Sequence, residues 1–551
     1  MTATLDRSTT TAVTDYDVVV VGAGFAGLYA VYKFRDQLGL SVRGFEAAAG
    51  VGGTWYWNRY PGARCDIESV HYSYSFSEEL QQEWVWSERF AAQPEILRYL
   101  NHVADRFDLR RDITFNTRVS SMVWDDAESF WRVTTESGEV VTAKYVISGV
   151  GNLSVPKKPE FDGVDSFRGQ VLLTGNWLEE QTDFTGKRVG IVGTGSTGIQ
   201  AISEIAKTAA HLTVFQRTPN YATPLKNAAS DAAEVAEIKA NYKQVRDAAR
   251  NHFLGVPYTQ VQPSALAVSA QERRRTFDER WNAGGFQLFI DSYGDILFDK
   301  AANDTVADYV RGRIFERVTD PAVAELLAPR DYPYGTKRPP METNYYEVYN
   351  QENVALVDIK SAPIETITET GLRTSESEYE FDVLILATGF DAITGPLLNL
   401  GIVGRNGRAL ADKWAHGPRT YLGLMTNEFP NLFMVTGPQS PSVLYNMPLA
   451  IEDHVDFIAD AITHLSERGL DVIEAELEAE DEWVAGALAI SSQTLLPGTD
   501  SWWMGANIPG KTRVCMLYLG GAPTYRAICD DVVANGYKGF ALAAPAAAVA
   551  R

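Results

Sequence analysis

Two stretches of this chain repeat one local pattern: a run of β-branched residues, a glycine-rich turn, then an apolar helix. The first is Tyr16-Asp17-Val18-Val19-Val20-Val21 followed by Gly22-Ala23-Gly24-Phe25-Ala26-Gly27. The second is Lys187-Arg188-Val189-Gly190-Ile191-Val192 followed by Gly193-Thr194-Gly195-Ser196-Thr197-Gly198 and then Ile199-Gln200. An uninterrupted apolar strand is one buried on both faces, which is the habit of a parallel sheet. The glycines allow a tight turn and bring backbone amides at a helix N-terminus up to a pyrophosphate. Two such units commit the chain to an α/β fold with two Rossmann-like dinucleotide-binding domains.

The residue after the next strand separates the two sites. Behind the first turn, Ser41-Val42-Arg43-Gly44-Phe45 ends in Glu46, where a carboxylate accepts hydrogen bonds from ribose hydroxyls. Behind the second, Leu212-Thr213-Val214-Phe215 leads into Gln216-Arg217-Thr218. A carboxylate there would repel a 2'-phosphate, whereas a guanidinium pairs with it through two hydrogen bonds. The second site is therefore expected to prefer NADP, with Thr194, Gly195, Ser196, Thr197, Gly198, Ile199 and Gln200 around the pyrophosphate and Arg217 and Thr218 on the ribose phosphate.

Residues 144–151 and 383–391 each read as a strand running into a glycine turn, expected to be chain crossings between lobes. The layout implied is one nucleotide domain from residues 1–152 and 390–551, with the second, 153–223 and 333–389, inserted in it. Between them, residues 224–332 carry helical periodicity and charge, as in Ala232-Ala233-Glu234-Val235-Ala236-Glu237-Ile238-Lys239, with no strand-turn rhythm, and are expected to be a helical insertion covering the site.

A formal net charge of -22 opposes a phosphate backbone or an anionic leaflet, so neither nucleic acid nor membrane is expected as a partner. Cys65, Cys515 and Cys529 are widely spaced and form no CxxC, which points to a reducing compartment, the cytoplasm by default, and excludes disulfide-reductase chemistry. No apolar signal segment opens the sequence, and the Ala-rich stretch from Ala541 to Ala550, too short to cross a bilayer, is expected to be a free tail. The scattered histidines have no metal-ligand spacing, so no metal is expected. Neither a GxSxG elbow nor HExxH is present.

Several stretches then carry a resemblance. Gly53-Thr54-Trp55-Tyr56-Trp57-Asn58-Arg59-Tyr60-Pro61-Gly62-Ala63-Arg64-Cys65-Asp66 matches the pattern GxWxxxxYPGxxxD, and with it come Gly335-Thr336-Lys337-Arg338, Ala387-Thr388-Gly389-Phe390-Asp391 and Trp502-Trp503-Met504-Gly505-Ala506-Asn507-Ile508-Pro509-Gly510. From Asp15 to about Leu542 the chain resembles the Baeyer-Villiger monooxygenases, especially those similar to phenylacetone and cyclohexanone monooxygenase. The family signature FxGxxxHxxxW followed by Pro or Asp reads Phe167-Arg168-Gly169-Gln170-Val171-Leu172-Leu173-Thr174-Gly175-Asn176-Trp177-Leu178 here, with Leu173 in the histidine position and Leu178 also departing. By the resemblance, Leu173 lies in the linker ahead of the second glycine turn, where losing the histidine weakens domain coupling.

The resemblance implies FAD at the first turn, with Gly22, Gly24, Phe25, Ala26 and Gly27 at its pyrophosphate and Glu46 on its ribose. Thr54, Trp55, Tyr56, Trp57, Arg64, Asp66, Tyr72, Val119 and Met447 would complete the flavin contacts, although Met447 alone would read as core. NADP(H) follows at the second turn, with Lys337 joining Arg217 and Thr218 on the 2'-phosphate and Trp502 on the ribose; Trp503 reads as packing. The reaction implied uses NADPH and O2 to convert a ketone to an ester or lactone through a C4a-peroxyflavin stabilised by Arg338, which Asp66 orients. A fixed guanidinium suits that task because it keeps its charge at any working pH. Residues 440–446 resemble the longer substrate-side loop of the phenylacetone type. Two alternatives stay open: an N-hydroxylating or sulfoxidising flavin monooxygenase, which Trp177 disfavours, and an uncoupled NADPH oxidase, which Leu173 would favour. Monomer and homodimer are equally compatible.

Overall fold

The computed structural model describes residues 14–157, 161–178, 182–258 and 262–544. Its first sheet is built around β1 (Tyr16–Val21), β2 (Val42–Phe45), β3 (Ile113–Thr114), β4 (Val119–Asp125), β5 (Phe130–Thr135) and β6 (Val140–Ser148). β1 lies between β2 and β6, parallel to both, while β4, β5 and β6 form an antiparallel meander. The chain returns late to add Leu432–Met434 parallel to β6 and Ile402–Val403 parallel to β4. The apolar run of β1 is explained by its two faces. Val18 and Val20 pack with the helix α1 (Phe25–Tyr32), whereas Val19 and Val21 face a second core with Trp131, Phe429 and Leu432.

The second sheet is wholly parallel. Its order is Val354–Asp358, β9 (His211–Gln216), β8 (Arg188–Val192), Val383–Leu386, β7 (Gln170–Leu173). This mixed α/β architecture with parallel sheets is the fold class expected from the two glycine turns.

Residues inserted within the second unit, between its strands His211–Gln216 and Val354–Asp358, form mainly helices, including Ala232–Ala240, Tyr242–Arg250, Ala270–Ala283 and Lys300–Arg317. The base of this segment is not purely helical. Thr223–Pro224 pairs in parallel with Met341–Glu342, a two-residue strand too short to carry a period-2 signal.

Two expectations are corrected. Leu173 does not lie in a linker: it ends the edge strand β7, paired with Leu386, and packs beside the small core of Phe167, Val192, Phe215 and Leu384. An apolar residue suits that surface. The Ala-rich terminus is tied down at its start, where Phe540–Ala543 pairs antiparallel with Val472–Ala475; residues 545–551 lie outside the described residues.

The two nucleotide units are locked together. The Trp177 N–H donates to the Trp57 carbonyl at 2.9 Å and the Arg59 N–H to the Trp177 carbonyl at 3.3 Å, so this buried tryptophan joins the aromatic loop to the chain leading into β8. Gly62, at φ +80°, permits another contact: a Cβ there would sit 2.6 Å from the Gln200 carbonyl oxygen. Across the gap, Tyr60 Oη donates to Gln200 Oε1 at 2.9 Å and Gln200 Nε2 to the Arg64 carbonyl at 3.2 Å.

Candidate active site

The first turn is a cradle that only glycine can line. Gly22 has φ +101°, and a Cβ on it would lie 2.6 Å from the Gly149 carbonyl oxygen. One on Gly27 would lie 1.8 Å from the Gly22 carbonyl oxygen, an impossible contact. Phe25 and Ala26 start α1 with no side-chain cap, so its first amides remain available to a ligand. Glu46 is buried at the end of β2, its two oxygens accepting the N–H groups of Ala23 at 2.6 Å and Ala48 at 2.7 Å. Burial pushes its carboxyl up and these donors pull against that. Val119 opens β4 two residues after Thr117, whose amide donates to the Glu46 carbonyl at 2.8 Å.

The aromatic loop closes over this turn. Gly53 caps the single helical turn Thr54–Trp57, and its Cα lies 3.4 Å from where a Gly24 Cβ would be. The Trp55 indole donates to Tyr72 Oη at 3.2 Å, and Tyr72 meets Phe25 edge-on at 5.2 Å. Tyr56 meets Trp57 edge-on at 5.3 Å and lies under the Arg59 guanidinium. Arg64 is turned outward to Glu88 and the Phe90 carbonyl. Met447 is the first residue of the helix Met447–Glu467. The donor set suits a flavin dinucleotide, with backbone amides and one acid at the turn and aromatic side chains beyond.

The second turn copies the first and then diverges. Gly193 has φ +111°, its would-be Cβ 2.4 Å from the Ala387 carbonyl oxygen, and a Gly198 Cβ would lie 2.2 Å from the Gly193 carbonyl oxygen. Beside Gly195, by contrast, there is open space. Ser196, Thr197, Gly198, Ile199 and Gln200 start the helix Ser196–Ile205, and Thr194 Oγ1 donates to the Thr218 carbonyl at 3.2 Å. Arg217 is exposed, and Lys337 stands with its ammonium 4.5 Å from the centre of the Tyr332 ring. Burial lowers the Lys337 pKa, and the Arg217 charge lowers it further.

Sequence reasoning missed Lys157, whose pKa is lowered by burial and then by that same Arg217. Lys157 Nζ donates to the Asn507 carbonyl at 2.9 Å, tying the segment after Trp502 to this cluster of cations. Lys157 belongs to no motif, and only the fold brings it near Arg217. Trp502 heads the short turn Trp502–Met504, partly buried, with Trp503 fully buried beside it.

Arg338 stands at a cavity walled by Ile67, Leu254, Val256, Phe286, Phe289, Leu444 and Tyr445. Its guanidinium is fixed on three sides. Nε and Nη2 donate to the two oxygens of Asp66 at 3.0 and 2.9 Å, Nη1 donates to the Val443 carbonyl at 2.7 Å, and the Phe286 ring centre lies 4.5 Å away. Burial works against the charge of Arg338, but Asp66 more than offsets it, so the pKa is raised. Burial lifts the neighbouring Cys65 thiol well above its usual range, which removes it as a nucleophile. The cavity thus offers an apolar lining and one permanent, oriented cation to a neutral molecule bearing a polarisable oxygen.

Two dinucleotide-binding folds clamped together, with an arginine held at an apolar cavity, define a flavoprotein oxidoreductase of the monooxygenase class. Residues 15–224 match the family described as flavin-binding monooxygenase-like. A Baeyer-Villiger monooxygenase of Pseudooceanicola batsensis is 45% identical, the match covering 96% of this chain and 97% of that protein. The acetone monooxygenase (methyl acetate-forming) of a Gordonia species is 42% identical over 96% of this chain and 99% of its own. Among solved structures, an oxidised steroid monooxygenase bound to NADP is 53% identical, with a TM-score of 0.92, and covers 96% of this chain and 99% of that one. The chain belongs to the Baeyer-Villiger monooxygenases.

Proposed function

We propose that this protein is an FAD- and NADPH-dependent monooxygenase that converts ketones to esters or lactones, placing one atom of O2 beside the carbonyl carbon and releasing the other as water. The observation that carries the reading is Arg338, held bidentately by Asp66 at the edge of an apolar cavity. When bound, the flavin supplies the two-electron relay from NADPH to O2. The chain's own residues do the rest. Arg338 stabilises negative charge on oxygen as the ketone is attacked, at no cost of reorganisation, because Asp66 and the Val443 carbonyl have already fixed it. Asp66 is a positioning residue, since its two oxygens are both engaged by Arg338. Arg217, Thr218 and Lys337 take the 2'-phosphate of the reductant, Trp502 takes its ribose, and the apolar wall excludes water from the reacting oxygen.

In this reading residues 1–152 and 390–551 hold FAD, residues 153–223 and 333–389 hold NADP, and 224–332 roof the cavity. The test is to supply the FAD-loaded protein with NADPH, O2 and a panel of acyclic, cyclic and aryl ketones, following ester and hydrogen peroxide together. Ester in step with NADPH consumption is expected. Arg338→Met should lower ester formation by at least about 100-fold while NADPH still bleaches the flavin. Peroxide in step with NADPH, with no ester from any ketone, would overturn the proposal.

A further inference from the structure

Tyr445 shares the cavity with Arg338, and what holds its ring lies outside the site already described. One face of the ring rests on Gly255, which has φ +72° and whose Cβ, if present, would sit 2.5 Å from the ring carbon Cε2. The next residue, Asn446, fixes the same junction: its backbone N–H donates to the Leu254 carbonyl at 3.0 Å and its amide to the carbonyls of His71 at 2.8 Å and Gly255 at 3.2 Å.

The phenol oxygen accepts a hydrogen bond at 2.9 Å from Arg526 Nη1. Arg526 belongs to the helix Ala522–Ala534 near the C-terminus, none of whose residues lines the cavity. The same guanidinium pairs with Asp453 Oδ2 at 3.3 Å and donates from Nη2 to the Arg250 carbonyl. Asp453 Oδ1 in turn takes Arg250 Nη1 at 2.6 Å. Three distant parts of the chain, the helices Tyr242–Arg250, Met447–Glu467 and Ala522–Ala534, thus meet in one charged knot that reaches the cavity wall through a phenol.

Buried ion clusters are a poor source of stability, because well-packed apolar side chains of similar volume often serve as well or better. Their best-attested use is to select a single arrangement. A tyrosine wall held by packing alone could rock about its side-chain torsions; one held by a guanidinium, itself locked by two further groups, cannot.

We propose that Arg526 is a positioning residue for substrate selection: through the Tyr445 hydroxyl it fixes the ring that sets the width of the cavity, and so favours productive binding of bulky over small ketones. This rests on reading the cavity as the ketone site. The experiment uses FAD-loaded protein with cyclohexanone and acetone as probes, and compares Arg526→Met, Tyr445→Phe, the double variant and Arg526→Lys. Arg526→Met and Tyr445→Phe should each lower kcat/KM for cyclohexanone by about 5-fold, leave acetone within about twofold and leave the KM for NADPH unchanged. The double variant should be no worse than either single one, because the two changes remove the same contact. Arg526→Lys should recover part of the loss.

Additive losses, or equal losses on both ketones with a raised KM for NADPH, would overturn the proposal and leave Arg526 as structural glue. A second readout needs no turnover: 3-fluorotyrosine placed at position 445 should give one sharp fluorine resonance in the parent protein and a broadened or split one with Arg526→Met. An unchanged resonance would refute the positioning role. If the parent protein oxidises no ketone of the wider panel, it is the proposed function that fails; if it oxidises others but neither of these two, the bulkiest and smallest ketones it accepts replace them, and in either case the fluorine spectrum still decides the role of Arg526.

Discussion

The two glycine turns are near copies in backbone and opposites in surroundings. In each, the first glycine sits at positive φ against a carbonyl from a neighbouring crossing, Gly22 against Gly149 and Gly193 against Ala387, and the third glycine abuts the first. In each, the amide of the first glycine donates to a carbonyl at the end of the next strand, that of Phe45, its last residue, or Phe215, its last but one. The surroundings then part. Gly24 faces Gly53 under the aromatic loop, whereas the space beside Gly195 is open. Glu46 follows Phe45 and turns back onto its own turn, whereas Gln216 follows Phe215, is buried, and donates to the Leu326 carbonyl instead. One turn is roofed and carries an acid; the other is open and carries an exposed cation, Arg217. That is the difference expected between a cofactor retained through every cycle and a reductant that must enter and leave.

The largest expected effect separates what the glycines owe to the protein from what they owe to the ligand. A methyl on Gly27 collides with the Gly22 carbonyl oxygen before any nucleotide binds, so Gly27→Ala should yield protein without flavin absorbance and with a lowered melting temperature. A methyl on Gly195 meets nothing in the protein, yet the second glycine of such a turn is where backbone approaches pyrophosphate. Gly195→Ala should therefore keep its flavin and its melting temperature, and raise the KM for NADPH by about 10-fold. Equal flavin loss in both variants would break the comparison.

This asymmetry also shows what the sequence could and could not disclose. The turns, the parallel strands behind them, Glu46 and Arg217 were legible because a glycine spacing, a buried strand and a terminal charge are local properties. Leu173 was misplaced because the same few residues read as connector or as edge strand until Leu386 is beside them. Lys157 and Arg526 were invisible for a stronger reason. Each acts through a partner hundreds of residues away in the chain or on another element, Asn507 for one and Tyr445 for the other, and no periodicity encodes such a meeting. The Asp66–Arg338 pair spans a similar gap, and only the family resemblance brought it forward.

A smaller effect sharpens the cation side. If Arg217 reads the 2'-phosphate, Arg217→Ala should raise the KM for NADPH by roughly 30- to 100-fold, the worth of charge-assisted hydrogen bonds at about 2–3 kcal/mol, and leave NADH within about threefold. Adding Gln216→Glu, which restores at the second turn the acid found at the first, should tilt preference toward NADH. Because Arg217 is exposed, the parent enzyme's preference for NADPH should also shrink as salt is raised. An equal loss with both nucleotides would show that Arg217 does not touch the phosphate.

The smallest effect concerns acid, and it should fall on the flavin side. His71 and His454 are both buried in the half that carries the first turn, and each has its pKa lowered to about 3, by burial in both cases and additionally by the Arg246 charge for His71. His454 Nδ1 accepts the Thr436 N–H at 2.9 Å, so a proton there would set donor against donor. A histidine whose folded pKa lies below its unfolded value of about 6.5 leaves the unfolded chain binding more protons in the interval between them. Its contribution to stability is complete above about pH 6.5 and is lost as pH falls toward 3. Between pH 7.5 and 5.5 each histidine should cost about 1.4 kcal/mol, visible as a lower urea midpoint for flavin release. His454→Gln should remove about half of that pH dependence, whatever it does to the midpoint at pH 7.5. If the variant keeps the full pH dependence, the acid sensitivity of the flavin half arises elsewhere, and burial of its histidines is not what distinguishes it from the reductant side.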